Sequence, residues 1–438
     1  MRRHQLSILA LARLLTRHVH SRTHGRESGA VATLVAIMLG TGVILGCAAL
    51  TIDTGSLLWE RRQLQNGADA ASLAAAQACA TQTPCNPSIA AGLLLSNLAN
   101  ANASDNATGI ESICGSATTV ASNPALALCP APGGPGELVK CPAVPSSLAA
   151  GNYVEIRTRT LTSGGSTILP PYLAQTLAGG GYSGETVRAC ARAAWGPPGS
   201  VGVSLPITLS SCEWANATLG TPPAATPTYA AAPVGAWPGY GGGGQPAWPA
   251  AAQTPPVPGH EVIIMLQDPQ NPQTCQNWNG HDVAGGFGYL QAANCQAVMN
   301  TGDWVKVDTG NSLGCDISTF FNKIVYLPVF DCVAHQNSLP APPPPTGASW
   351  PVSCYDTQGG GNHWYHVEGF AKFYLSGYKV GGGPADTRAR TATGTEPCTG
   401  SQRCLSGWFL EGLVPASSIS QNPIPGPVLG SYAVQVAG

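Results

Sequence analysis

The sequence predicts an α+β protein: an N-terminal transmembrane helix continuing into a stalk helix, then a disulfide-rich, mostly β ectodomain. Three observations predict it. Residues Ala30 to Ile52 (AVATLVAIMLGTGVILGCAALTI) contain no charged side chain, and such a run is long enough to cross the roughly 30 Å hydrocarbon core of a bilayer as a helix. Of the 15 cysteines, all but Cys47 follow that run, and an even number in an oxidising compartment reads as a disulfide framework. With 54 Gly and 38 Pro among 438 residues, long helices are disfavoured beyond the first hundred residues, which leaves strands, turns and loops.

The flanks of the apolar run orient it. Residues 1–29 form a basic leader in which Arg2, Arg3, Arg13, Arg17, Arg22 and Arg26 face a single acid, Glu27. Beyond the run come Asp53, Glu60 and Asp69 alongside Arg61 and Arg62. The positive excess places the N-terminus in the cytoplasm and the bulk of the chain outside, as a single-pass membrane protein. Residues 6–20 carry enough leucine for a short amphipathic helix, but a basic leader that only sets topology is the simpler reading. A cleaved signal peptide has a shorter apolar core and a small-residue cleavage site. The length of this run, and its continuation into a helical pattern, favour a retained anchor at 30–52. Processing as a minor pilin would leave a mature N-terminus at Ala30, after Gly29. Such pilins carry a glutamate five residues past that glycine, where this chain has Leu34. Cys47, inside the run, is expected to be a buried free thiol.

Residues 53–83 are rich in Glu, Arg, Gln, Leu and Ala, so the membrane helix is expected to run on as a stalk. Leu57, Leu64, Ala68, Ala71 and Ala75 recur at helical spacings and make one narrow face. Small side chains there allow a helix or a sheet to approach closely. Pro84 and Pro87 end the element.

Gly29, the apolar span, Asp53-x-Gly55 and the run Arg61-Arg62-x-Leu64-Gln65-Asn66-x-Ala68-Asp69-Ala70-Ala71 resemble the TadG-like pilus-assembly N-terminal region. That family belongs to the tight-adherence (Flp pilus) machinery and to relatives outside pilus loci. The resemblance covers residues 26–80. It implies a membrane helix continuing into a polar, alanine-rich stalk, with Asp53 capping or orienting the helix at the interface. Many relatives carry a von Willebrand A-type domain beyond the anchor, but no D-x-S-x-S motif follows an apolar strand here.

Residues 84–220 form an extracytoplasmic, disulfide-containing region. The pattern is weakly helical from Ser88 to Thr108 and turn-rich to residue 150. Tyr153 to Thr160 alternates as a half-buried strand should, as does Val187 to Ala194, and a strand from Val201 to Leu209 follows. Residues 221–259 are a Pro/Gly/Ala linker with Trp237, Tyr240 and Trp248, a composition that buries no core. Residues 260–438 read as a β-rich, disulfide-containing domain. Its expected strands are Glu261 to Leu266, Asp303 to Val307, Lys323 to Phe330, His366 to Tyr378 and Leu405 to Val414. A second proline loop occupies 340–345, and no solenoid repeat emerges.

The disulfide candidates are Cys79, Cys85, Cys114, Cys129, Cys141, Cys190, Cys212, Cys275, Cys295, Cys315, Cys332, Cys354, Cys398 and Cys404. None has the C-x-x-C spacing of zinc or thioredoxin-like motifs. Connectivity stays open, although Cys79–Cys85 and Cys398–Cys404 suit short loops.

Other chemistry finds little support. Asp-Thr-Gly occurs at Asp53 and at Asp308, and aspartic proteases take one such aspartate from each of two lobes. The first copy, however, lies at the end of the membrane helix, where no catalytic β-loop can form. His363 and His366 would share a face only on a helix, and strand geometry sends them opposite ways. His281-Asp282 sits in the glycine-rich stretch 280–288, which fits neither phosphate-binding pattern. No G-x-S-x-G elbow is present. With 10% charged residues and a net charge of −2, no basic surface for nucleic acid is expected. The expectation is a non-enzymatic protein without cofactor or metal, a single-pass membrane protein that assists Flp-type pilus assembly or surface anchoring. Its expected partners are pilus-machinery proteins or cell-envelope components. The competing expectation is an envelope glycan-binding or hydrolytic module on the same anchor, with a pocket converging from His363, His366, Asp282 and Glu368.

Overall fold

The computed structural model describes residues 28–40, 43–81, 84–85, 89–90, 93–130, 141, 151–177, 181–203, 205–219, 261–267, 289–290, 297–307, 316–321, 323–335, 363–381, 398–400, 402–415, 423 and 426–436. The leader, the linker 221–259, the proline loop 340–345, the second Asp-Thr-Gly and His281-Asp282 lie outside them. In chain order the elements are α1 (Ser28–Gly40), α2 (Val43–Thr81), β1 (Ile89–Ala90), β2 (Leu93–Leu94), α3 (Leu95–Asn100), β3 (Thr108–Gly115), α4 (Ala117–Ser122), β4 (Ala127–Leu128) and β5 (Asn152–Thr160). They continue with α5 (Ala174–Leu177), β6 (Arg188–Gly196), β7 (Ser200–Val203), β8 (Leu209–Ser210), α6 (Ser211–Leu219), β9 (Val262–Gln267), β10 (Ala297–Asn300) and β11 (Trp304–Lys306). The last are β12 (Ile324–His335), β13 (His363–Lys379), β14 (Arg403–Leu410), β15 (Gly412–Leu413) and β16 (Ser431–Val436).

The mixed α+β class holds. The helix α2 stops at Thr81, just before Pro84 and Pro87. Residues 88–108 are not one weak helix: β1 and β2 pair as a hairpin, and only Leu95–Asn100 is helical. The stretch from Val201 to Leu209 is divided into β7 and β8 around Pro206, which has no N–H to give a ladder. Among the described residues no helix is both long and apolar enough to cross a membrane. The apolar run 30–52 is shared between α1 and the start of α2, with residues 41 and 42 outside the description. Cys47 is a free thiol, as expected, but it is exposed rather than buried.

The chain divides into two compact units, one of residues 1–62 and 160–187, the other of residues 63–159 and 188–438. In the first, Val31, Leu34, Val35, Ile37, Met38, Leu39, Leu50 and Ile52 are exposed. The excursion 160–187 is closed at its base, where the Thr160 N–H donates to the Val187 carbonyl at 2.9 Å. Further out, Leu169 and Glu185 exchange backbone hydrogen bonds of 2.9 and 3.3 Å. Gly184 permits this pairing. Its φ is +115°, and a Cβ there would lie 2.1 Å from the Leu169 carbonyl oxygen.

In the second unit, one six-stranded sheet has the order β15-β16-β6-β5-β3-β4 and another runs β8-β12-β13-β14-β9, with β11 also on β13. A separate ribbon pairs β7 with β10. Strands from the two sides of residues 221–259 therefore share sheets. The alanine face of α2 lies against the first sheet: Ala71, Ala75 and Ala76 enter one core with Leu95, Leu126, Val154, Ile156, Ala193 and Trp195. Burying Val154 and Ile156 contributes about 1.5–3 kcal/mol each. The helix α3 approaches α2 closely as well: a Cβ on Gly67 would sit 3.0 Å from the Ala99 carbonyl oxygen of α3.

The second sheet is buried on both faces. Val325, Leu327, Val329, Ala371, Phe373 and Leu375 point into one core, whereas Tyr326, Phe330, Tyr365, Val367 and Phe370 point into another. In β14, an added Cβ at Gly407 would fall 1.9 Å from the Tyr374 carbonyl oxygen and 2.7 Å from the Phe373 ring. Because β13 is fixed between β12 and β14, neither atom can move aside. Gly407→Ala is therefore expected to cost about 2–3 kcal/mol, as overpacking does. Denaturant unfolding with disulfides intact, against Ser406→Ala, measures this.

Candidate functional site

Asp53 belongs to α2, yet its carboxylate serves another element of the same unit. Oδ1 accepts the Tyr172 N–H at 2.8 Å and Oδ2 the Ala174 N–H at 2.5 Å, while the Leu173 N–H reaches both oxygens at 3.2 and 3.3 Å. These amides begin α5 and have no carbonyl of their own helix to bond. Asp53 is 8% exposed. It therefore caps a helix, but not the one expected: α2 runs straight through it, and the capped turn lies about 120 residues later in the chain. Gly29 and Gly55 are exposed, with open space where a Cβ would go. Arg61 and Arg62 are exposed on α2.

The rest of the motif lies in the second unit and divides by face. Leu64, Ala68 and Ala71 are buried, and Asn66 is exposed. Ala70 is half-buried, as are Gln65 and Asp69. Gln65 donates through Nε2 to Asp69 Oδ1 and to the Cys190 carbonyl, both at 3.0 Å, so this i,i+4 pair fastens α2 to β6. The Thr158 hydroxyl of β5 donates to the Leu64 carbonyl at 3.0 Å. Sequence reasoning missed Gln63. Its side chain accepts the Ser104 N–H at 2.7 Å and donates to the Ser104 hydroxyl at 3.3 Å. The only signal was a polar side chain next to the buried Leu64.

Four disulfides join described residues: Cys79–Cys85, Cys114–Cys129, Cys141–Cys190 and Cys398–Cys404. Cys332 is disulfide-bonded as well. The side chains of Cys212, Cys275, Cys295, Cys315 and Cys354 lie outside the description. Such bonds persist in oxidising compartments, which makes the β-rich domain extracytoplasmic. Two of the bridges flank Glu155, whose carboxylate lies within 4.8 Å of Sγ atoms of Cys114, Cys129, Cys141 and Cys190. The sulfurs are bonded pairwise and the carboxylate pairs with Arg192 and Arg157, so neither group offers a free ligand there.

Of the four side chains expected to converge on a pocket, only His366 and Glu368 meet among the described residues, two positions apart on one face of β13. His363 and His366 are three positions apart in β13 with no bulge between them, and therefore face opposite ways; His363 is buried. Asp282 lies outside the description. His366 instead pairs through Nδ1 with Asp331 Oδ1 at 2.6 Å, and its ring lies 5.1 Å from that of Trp304. The register explains this meeting. Val329 pairs with Gly369 and Phe330 with Val367, leaving Glu368 as an extra residue; Cys332 then pairs with His366, leaving Asp331 extra. His366 and Glu368 share a face of β13 by their spacing, and the two bulges bring Asp331 of β12 to them.

Burial raises the Glu368 pKa above its ordinary 4.5, the Asp331 charge adds to this, and His366 lowers it. A carboxyl with a raised folded-state pKa contributes stability that is complete below its unfolded value and is lost as pH rises through the folded one. Glu368→Gln is expected to remove this dependence. Compared with the parent, the variant should gain denaturant midpoint at about pH 7 more than at about pH 4.

A long helix with a buried alanine seam under a disulfide-bonded β domain defines a class of extracytoplasmic proteins carried on an N-terminal helix. Residues 29–78 match the family described as putative Flp pilus-assembly TadE/G-like, so a domain of that family occupies the N-terminal region. No curated protein and no solved structure matches the chain.

Proposed function

We propose that this protein is a single-pass, membrane-anchored structural component that assists assembly or surface anchoring of a Flp-type pilus. The family match at residues 29–78 carries the reading. The anchor is the uncharged run 30–52, whose described large side chains are exposed on several sides of their helices, as lipid contact requires. The basic leader keeps the N-terminus in the cytoplasm. The buried part of the motif holds α2 against the β domain, which leaves Arg61 and Arg62 for partners. No catalytic step belongs to this reading; the protein works by binding other envelope components.

Mild in-membrane crosslinking of the intact protein, followed by purification and mass spectrometry, tests it. Recovery of pilin or platform subunits, lost in an Arg61→Glu/Arg62→Glu variant, is the expected result. Recovery of wall polymer alone, or of nothing, would overturn the assembly role.

A further inference from the structure

We propose that the excursion 160–187 is a membrane-seated foot, with Ile168, Tyr172 and Leu173 entering the lipid–water interface where the chain leaves the bilayer. The inference rests on the transmembrane reading of residues 30–52 and extends it to a segment more than a hundred residues away. Asp53 immediately follows Ile52, the last residue of the apolar run. Its carboxylate holds the backbone N–H groups of Tyr172, Leu173 and Ala174, so this part of the excursion sits level with the outer end of the run. Ile168 is 40%, Tyr172 71% and Leu173 37% exposed.

Two further observations name lipid as the occupant. From Thr160 to Gly184 the chain contains no charged residue, so placing it among headgroups desolvates no ion. On α2, the residues between Asp53 and Glu60 (Thr54 to Trp59) are also uncharged and end in exposed Leu58 and Trp59. At 1.5 Å per residue, Leu58 and Trp59 stand roughly 8–9 Å beyond Asp53, at the outer edge of an interfacial layer. Tyrosine and tryptophan concentrate in that layer because the ring is apolar and the polar tip stays hydrated. Asp53 has its carboxylate satisfied by backbone amides, and Glu185, which pairs with Leu169 and is the excursion's acid before Val187, is exposed and keeps its charge in water.

A photoreactive benzoylphenylalanine placed at position 172 of the full chain in its native membrane tests the placement, with position 34 as the reference within the span. The substitution keeps the latch, because Asp53 holds the backbone N–H of residue 172. The expected result is a phospholipid adduct at 172 in a yield comparable with that at 34. Lipid adducts at 34 with none at 172, or with protein adducts there instead, would overturn the foot and leave the anchor standing. No lipid at either position would overturn the anchor and the foot with it.

Discussion

Glu155→Ala is expected to be among the most destabilising single substitutions in the β domain. Glu155 of β5 stands directly opposite Arg192 of β6 in the antiparallel register, and the two are 1% and 2% exposed on their side chains. Arg192 Nη2 lies 2.5 Å from Oε2, Arg157 Nε lies 2.9 Å from Oε1, and the Arg192 guanidinium stacks 5.0 Å from the Tyr153 ring centre. Alanine would leave a buried guanidinium without its carboxylate, a change that costs about 3–5 kcal/mol. The pair itself is worth far less than that. Removing both charges in Glu155→Met/Arg192→Met is therefore expected to recover most of the loss, because the fully buried guanidinium goes with its carboxylate and the Arg157 left behind is partly exposed. Denaturant unfolding of the two variants with disulfides intact measures the difference. Equal destabilisation would mean that packing, and not the unpaired charge, sets the cost.

That pair also marks the limit of what the chain revealed before folding. Period-two alternation in Tyr153 to Thr160 located β5, because Val154 and Ile156 face α2 while Glu155 and Arg157 face away. Nothing local said that the second face was buried too. Its cover comes from the Cys114–Cys129 and Cys141–Cys190 bridges, whose pairing is not readable from spacing. The short loops Cys79–Cys85 and Cys398–Cys404 were readable, since six residues can close a bridge with little else involved. The helical face of Leu64, Ala68, Ala71 and Ala75 was legible for a similar reason: small residues at 3.6-residue spacing have little use on a solvated surface. The pairing of β6 with β16 and of β8 with β12 was not, because pairing over such distances depends on loops that carry no pattern. The meeting of Asp331 with His366 and Glu368 follows two bulges, and each shifts the register of β12 against β13 by one residue. Strict alternation puts His366 and Glu368 on one face, two positions apart, but could not bring Asp331 of β12 to them.

Asp53→Ala should free the excursion while sparing the β sheets. The carboxylate takes the amides of three successive residues, and hydrogen bonds to a charged group contribute about 1.5–3 kcal/mol each before mutual competition for two oxygens is counted. A net local loss of about 2–4 kcal/mol follows. The amides of Tyr172, Leu173 and Ala174 are expected to exchange much faster with solvent deuterium in the variant, and chain cleavage within 160–187 should become easier. The β domain's unfolding midpoint should not move, because the hydrogen bonds that Asp53 accepts come from residues 172–174. Asp53→Asn separates charge from geometry. Its amide oxygen can still accept the Tyr172 N–H, but an NH2 group would then face the Ala174 N–H, donor against donor, so an intermediate phenotype is expected. Unchanged exchange at 172–174 in Asp53→Ala would show that the closed base at Thr160 and Val187 suffices to hold the excursion. The motif aspartate would then need another explanation. If the amides are released, a residue two positions from an exposed glycine acts as the pin that sets the height of a distant loop along the helix.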